Sequence, residues 1–360
     1  MAIDVEQGCV AQNSLRPDVR SVLSYWSDYY NPDGPAPRRG YSTGWIAQRL
    51  HAILAERGTV DYWDNAQRPL GMSADVFVGH FWAFADCARA NDFDHQVAFY
   101  VLSDPVQGAA LLRDAAERYG VPFPEWDLPP ANFDHEATME LADAVLLVGN
   151  QTTLATFDAR WRSKITLVNY ASGSPWQHSA TLKRRREFVY AATTCGLRKG
   201  FLDVIETWRS IRAGTTQLHV IGQIDEPYRG RLDASGAPAV KVYGWIPSTS
   251  RRYRELLQSC RFAYIPTWVE GQMGTVLEAI AAGCVPITTR ACGVDDRVLE
   301  YCVVVEPGQP EQHREEIATM LAWADAEFSD RQAVLRETMA RVHTWSGFDE
   351  RVRRVVWNAN

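Results

Sequence analysis

The sequence has few cysteines, and they do not come in pairs. Seven are scattered through 360 residues, with no Cys-x-x-Cys spacing. An odd number without close pairs argues against a zinc site and a disulfide framework, and points to a reducing, cytoplasmic setting. Long apolar runs are also missing, so nothing approaches the length of a membrane span. The first residues are polar, and no secretory leader is expected from them. An excess of basic charge is lacking too. The formal net charge is -7, which argues against a nucleic-acid partner. Local basic clusters at Lys183–Arg186 and Arg251–Arg254 read first as solvated faces, with an anion contact as the alternative. Peripheral contact with a membrane is compatible with this composition and not required by it.

What is present is a chain long enough for two domains of ordinary size. Short apolar runs alternate with amphipathic stretches, the pattern of an open parallel α/β sheet. In the first half, Val19–Tyr25, Asp75–Gly79, Gln96–Leu102, Ala144–Val148 and Ile165–Asn169 read as strands, with helices at Trp45–Glu56 and Glu136–Leu141. A Gly/Pro-rich loop, Asn31–Gly44, follows the first strand, and Ala171–Pro175 reads as an interdomain linker. Alternation then restarts, with strands at Phe188–Ala192, Leu218–Ile221, Val240–Tyr243, Phe262–Pro266 and Val285–Thr288. Helices are expected at Phe201–Arg212, Ser250–Ser259 and up to Ala282, and an amphipathic helix at Trp345–Trp357. Two doubly wound units in succession put a ligand at the carboxyl ends of their strands, in the cleft between them.

The segment Phe262–Thr288 carries the most chemistry. It reads as strand, turn, helix, glycine stop and strand. The turn Glu270-Gly271-Gln272-Met273-Gly274, followed by Thr275, puts flexible backbone at a helix N-terminus. Free N–H groups and the helix dipole there form a receptor for a diphosphate. Two carboxylates in the same place would repel phosphate, so their natural partners are hydroxyls, to which an ionised carboxylate is an acceptor only. Glu278 is placed to accept from a ribose, and Glu270 from a sugar beyond the diphosphate. Sugar, diphosphate and ribose in one row make a nucleotide sugar.

This segment resembles the Glu-x7-Glu signature of retaining GT-B glycosyltransferases, glycosyltransferase family 4 in particular. It matches at Glu270, Gly271, Glu278, Ala279, Ala281 and Gly283, places Pro286 one residue late, and departs at Gln272 and Met273. Upstream, Arg198-Lys199-Gly200 after a strand resembles the family's phosphate-binding lysine turn. The arginine that many members carry just before it is replaced by Thr193, with Arg198 a candidate substitute. Leu218–Gly222 and Val242–Ile246 resemble the strand and segment that border the base pocket, although Tyr243 and Trp245 read rather as core. Ala74–Trp82 resembles a strand end whose histidine, here His80, faces the cleft, and Ser103-Asp104 resembles another.

The resemblance implies a GT-B fold of two Rossmann-like domains facing a central cleft. These would be residues 1–175 on the acceptor side and 176–343 on the donor side, with a helix at 344–360 crossing back. It implies a metal-independent transferase that retains anomeric configuration. A UDP- or GDP-linked hexose would be the donor, and a glycan, lipid or small molecule with a hydroxyl the acceptor, with no resident cofactor. Glu270, His80 and Lys199 would then be catalytic, while Glu278, Arg198, Lys199 and the stretch from Gly271 to Thr275 would hold the donor. Three readings stay open beside it. One is a glycosidase using Glu270 and Glu278, and another a metal-dependent enzyme using Asp92 and Asp94. The third is a non-catalytic nucleotide-sugar or protein-binding module on the same fold.

Overall fold

The computed structural model describes residues 18–38, 42–124, 133–172, 184–212, 214–237 and 239–357. Two six-stranded sheets, in which every recorded strand pair is parallel, dominate it. The first contains β1 (Val19–Tyr25), β2 (Gly58–Asp64), β3 (Ser73–His80), β4 (Asp92–Tyr100), β5 (Ala144–Val148) and β6 (Ile165–Val168). Its order is β2-β1-β3-β4-β5-β6. The second contains β7 (Arg185–Cys195), β8 (Leu218–Ile224), β9 (Val240–Val242), β10 (Cys260–Ile265), β11 (Val285–Thr288) and β12 (Val303–Val304), in the order β12-β11-β10-β7-β8-β9. Strand order reverses between β1 and β3 in the first sheet and between β7 and β10 in the second. Loops leaving the carboxyl ends at such a switch point splay to opposite faces and open a crevice.

Helices cover the sheets, which is why central strands such as β5 (Ala-Val-Leu-Leu-Val) are apolar without alternation. They are α1 (Ser42–Ala55), α2 (Phe81–Ala90), α3 (Pro105–Tyr119), α4 (His135–Leu141), α5 (Gln151–Ala155), α6 (Phe201–Arg209) and α7 (Tyr228–Ser235), followed by α8 (Arg251–Ser259), α9 (Gly274–Ala282), α10 (Asp296–Leu299), α11 (Pro310–Ala322), α12 (Asp325–Val342) and α13 (Trp345–Trp357). Local chemistry sets their ends. Asp104 caps α3 by accepting from Val106 N and Gln107 N, and Pro105 opens the helix. Gly283 ends α9 at φ 93°, where a Cβ would be strained.

The terminal helix α13 packs on α1 and on β4, β5 and β6 of the first sheet. Arg49 pairs with Asp349 at 2.7 Å, Arg353 forks onto Glu56, and Phe348 meets Phe99 edge-on. The two sheets are joined by further bonds. Asn150 Nδ2 donates to Arg290 O and Val294 O at 3.0 and 2.9 Å, and the Tyr119 hydroxyl donates to Asp203 at 2.9 Å.

Several elements depart from the sequence-based expectation. The edge strand β2 was not anticipated, because Gly-Thr-Val-Asp-Tyr-Trp-Asp is polar and only Trp63 is buried. The helix α2 follows His80 without a break, so its apolar residues look like a continuation of the strand. The strand β7 runs three residues past Ala192, and α6 stops at Arg209. The expected linker falls largely at residues 173–175, outside the described residues, as do Gly40 and Lys183. The remaining basic cluster is internally engaged rather than open to an anion. Arg184 bonds Cys260 O and Ala282 O, Arg185 pairs with Glu187, and Arg186 pairs with Asp325.

Candidate active site

A cavity of about 680 Å³ opens between the carboxyl ends of the two sheets. The loops that build its second-domain wall leave β7 and β10, the two strands at the switch point. Gly200, at φ 69°, lets the first loop pack on the second, since a Cβ there would lie 1.9 Å from Pro266 O. Trp268 N and the Thr267 hydroxyl both donate to Arg198 O at 2.9 Å, fixing the backbone from which Arg198 and Lys199 project. Both side chains converge on Glu270. Arg198 Nη1 lies 2.8 Å from Glu270 Oε1, and Lys199 Nζ bonds the same oxygen. Burial would raise the Glu270 carboxyl, but the charges of Arg198 and Lys199 outweigh it and hold the group below its ordinary range.

The turn after Glu270 is seated against the first domain. A Cβ on Gly271 would stand 2.1 Å from Val101 O and 2.8 Å from Val148 O, so only glycine fits where the strand ends meet the turn. The Tyr170 hydroxyl donates to Gln272 O at 2.7 Å, and Gln272 Nε2 returns a bond to Tyr170 O at 3.0 Å. Met273 N donates to Cys292 O at 2.7 Å. Met273 is also the N-cap of α9, and its side chain makes no capping bond. Gly274 and Thr275, its first residues, line the cavity, so the amide end of the helix dipole faces it.

One turn further along α9, Glu278 also lines the cavity. The Tyr253 hydroxyl, from α8, donates to its Oε2 at 2.7 Å. Oε1 has no bond among the described residues. Burial raises the Glu278 carboxyl, with the Tyr253 bond opposing the rise. Gln223, Trp245, Ile246 and Ser248 continue the wall beyond it. Trp245 is 52% exposed, which corrects the expectation of a core residue: its ring lies on the cavity rim. Tyr243 packs inward, bonded to His219 Nδ1 at 2.8 Å and stacked on its ring.

From the first domain, Tyr25, Trp26 and Tyr29, together with Ser42, Thr43 and Val101, close the cavity. His80 is not among its lining residues. It is fully buried behind the wall, its ring edge-on to those of Tyr25 and Trp26 at 5.5 Å each, and its Nδ1 accepts from Trp82 N at the start of α2. Burial depresses it to about 3, so the imidazole is neutral. Ser103 and Asp104 are buried as well, with Asp104 spent on capping α3 and on His135 at 2.9 Å. Asp92 and Asp94 stand at the amino end of β4, the end away from these loops. Among the described residues, Glu187, His219 and Cys260 are close enough together to hold a metal. They lie outside the cavity, and Glu187 is already engaged by His219 and Arg185.

The structure thus brings Glu270, Glu278, Arg198, Lys199 and the α9 N-terminus onto one wall. Sequence reasoning missed Tyr253, Tyr170 and Trp26. Tyr253 alone left a trace, an aromatic on the buried side of an otherwise charged helix.

The same architecture recurs in known structures. Sucrose-phosphate synthase from Thermosynechococcus elongatus superposes with a TM-score of 0.66 over 95% of this chain and 100% of its own, at 15% identity. A trehalose-6-phosphate synthase, studied with bisubstrate glycomimetics for glycosyl transfer with retention, gives 0.53 at 12% identity, covering 77% of this chain and 72% of its own. TarM from S. aureus, solved with UDP, gives 0.59 at 9% identity, covering 78% of this chain and 55% of its own. No curated protein matches the sequence. The chain has the GT-B fold of these neighbours, with two parallel Rossmann-like sheets facing one cleft. Residues 185–322 match the family described as "Glycosyl transferases group 1".

Proposed function

We propose that the chain is a retaining, metal-independent glycosyltransferase that moves a hexose from a UDP- or GDP-linked donor to an acceptor hydroxyl. The observation that carries this reading is the convergence of Arg198, Lys199 and the uncapped N-terminus of α9 between two carboxylates. A diphosphate in that position meets two cations and a helix dipole, enough to offset the charge that develops on a leaving nucleoside diphosphate without a divalent ion. Glu278 accepts from the ribose through Oε1 while Tyr253 holds its other oxygen. Glu270 turns from its cations to hydroxyls of the sugar once phosphate competes for Arg198 and Lys199.

Trp245 offers a face to the base, and the aromatic residues Trp26 and Tyr29 a surface to the acceptor. His80 acts here as a positioning residue that holds the Trp26 ring from behind. The bonds across the cleft would exclude water and limit futile hydrolysis of the donor.

A thermal-shift panel of nucleotide sugars tests this. One donor should raise the unfolding temperature of the wild type and lose most of that effect in Glu278→Gln. No shift from any UDP- or GDP-sugar would rule the reading out. A shift without donor consumption would favour a binding module instead.

A further inference from the structure

A second cavity, of about 540 Å³, lies where α3 of the first domain meets α6, α7 and α11 of the second, and shares no lining residue with the first. Four arginines face it, one from each helix: Arg118, Arg209, Arg231 and Arg314. Against them stand Glu206 and Glu311, leaving a net positive lining. Two of the arginines are fixed by reciprocal bonds across the domain boundary. Arg118 Nη1 donates to Gly308 O at 2.7 Å, and Arg231 Nη2 donates to Gly120 O at 2.9 Å. Each guanidinium carries five N–H donors, so one such bond orients it and leaves others for a ligand. Arg209 gives one nitrogen to Glu206 at 2.8 Å, and Arg314 has no ion-pair partner among the described residues.

A second feature points the same way. Pro310 and Glu311, the first residues of α11, line the cavity, and the side chain of the N-cap residue Gln309 makes no capping bond. Its first-turn amides and dipole therefore add to the arginines, which suits an anion. Planar forks converging from four helices match an oxyanion with several oxygens on different sides. The volume exceeds the needs of one phosphate group.

We propose that this crevice is a binding site for a small soluble ligand carrying two or more linked phosphate groups, separate from the donor cavity and touching both domains. The claim does not depend on the transferase reading. Calorimetric titration of the full chain with inorganic pyrophosphate tests it, with orthophosphate as the comparison. Lys199→Ala and the double variant Arg209→Gln/Arg314→Gln separate the two cavities. The double variant spares the two boundary bonds, and Arg314→Gln alone serves if it unfolds at a lower temperature.

The expected result is binding that persists in Lys199→Ala and weakens about tenfold or more in the Arg209/Arg314 variants, since each loses charge-assisted hydrogen bonds. Pyrophosphate should bind more tightly than orthophosphate. No binding to the wild type, or binding abolished by Lys199→Ala and untouched by the Arg209/Arg314 variants, would overturn the site. Equal affinity for the two probes would overturn the choice of a linked phosphate.

Discussion

Replacing Glu278 by glutamine isolates the role given to its carboxylate. The Tyr253 hydroxyl donates to one carboxylate oxygen. An amide oxygen can still accept that bond, so the fold should keep its wild-type unfolding temperature to within a degree or two. What changes is Oε1, which has no partner among the described residues and which we assign to the ribose. A hydrogen bond to a charged group contributes about 1.5–3 kcal/mol, so losing the charge should weaken nucleoside diphosphate binding by about 10- to 150-fold.

Glu278→Ala should do both kinds of damage. It removes the acceptor of the bond that the buried Tyr253 hydroxyl donates, at a cost of about 1–3 kcal/mol in stability, as well as weakening binding. Titration calorimetry with the nucleoside diphosphate alone, and thermal unfolding without ligand, separate the two effects. The raised carboxyl adds a pH signature. Glu278 takes its proton at a higher pH than an ordinary glutamate, so affinity should fall with acidification sooner in the wild type than ordinary carboxylate titration implies. Glu278→Gln should lack that part of the profile. An affinity in Glu278→Gln within twofold of wild type, across pH, would refute the ribose assignment.

Other expectations concern the same wall and its supports. Lys199→Ala leaves Glu270 with Arg198 alone and should slow transfer by about 10²–10³-fold, read as kcat for the preferred donor. Gly271→Ala drives a methyl into Val101 O and should lower stability by about 1–3 kcal/mol while weakening donor binding, measured by denaturant unfolding and titration. His343, depressed to about 4 by burial, bonds Asp295 N and Tyr170 O. It stays neutral in the fold while the unfolded chain binds a proton below its usual pKa near 6.5, so stability should fall as pH drops from about 6.5 to about 4, by about 1.4 kcal/mol per unit. A His343→Gln variant should show a flatter urea midpoint against pH over that window. Trp245→Ala should cost about 1–3 kcal/mol in nucleoside diphosphate affinity and leave the unfolding temperature unchanged, as befits an exposed rim residue.

The second domain was legible because its chemistry is local. Glu270, Gly271 and Glu278 lie within nine residues, and the switch-point loops they occupy carry their own glycine and helix signals. The partnership of Arg198 and Lys199 with Glu270 joins residues about seventy positions apart, and the sequence could supply the cations but not their meeting. Tyr170 was illegible for the same reason, and Tyr253 left only the trace of an aromatic on a charged helix, since each acts through a contact made only by folding. His80 shows the opposite failure. Its place at a strand end was readable, but the side chain is enclosed by Tyr25, Trp26, Phe81 and Trp82, and no local pattern reports such a cage. Trp245 looked like core because an aromatic after a strand usually packs inward, yet the loop after β9 turns it outward.

The most direct measurement of the central claim is proton NMR of the anomeric signal during reaction of the preferred nucleotide sugar, with a chelator present throughout. The account predicts that the donor is consumed without added metal, that the first-formed product keeps the donor's anomeric configuration, and that Lys199→Ala slows its appearance. A donor left intact by the wild type, a product of inverted configuration, or activity restored only by a divalent ion would contradict it.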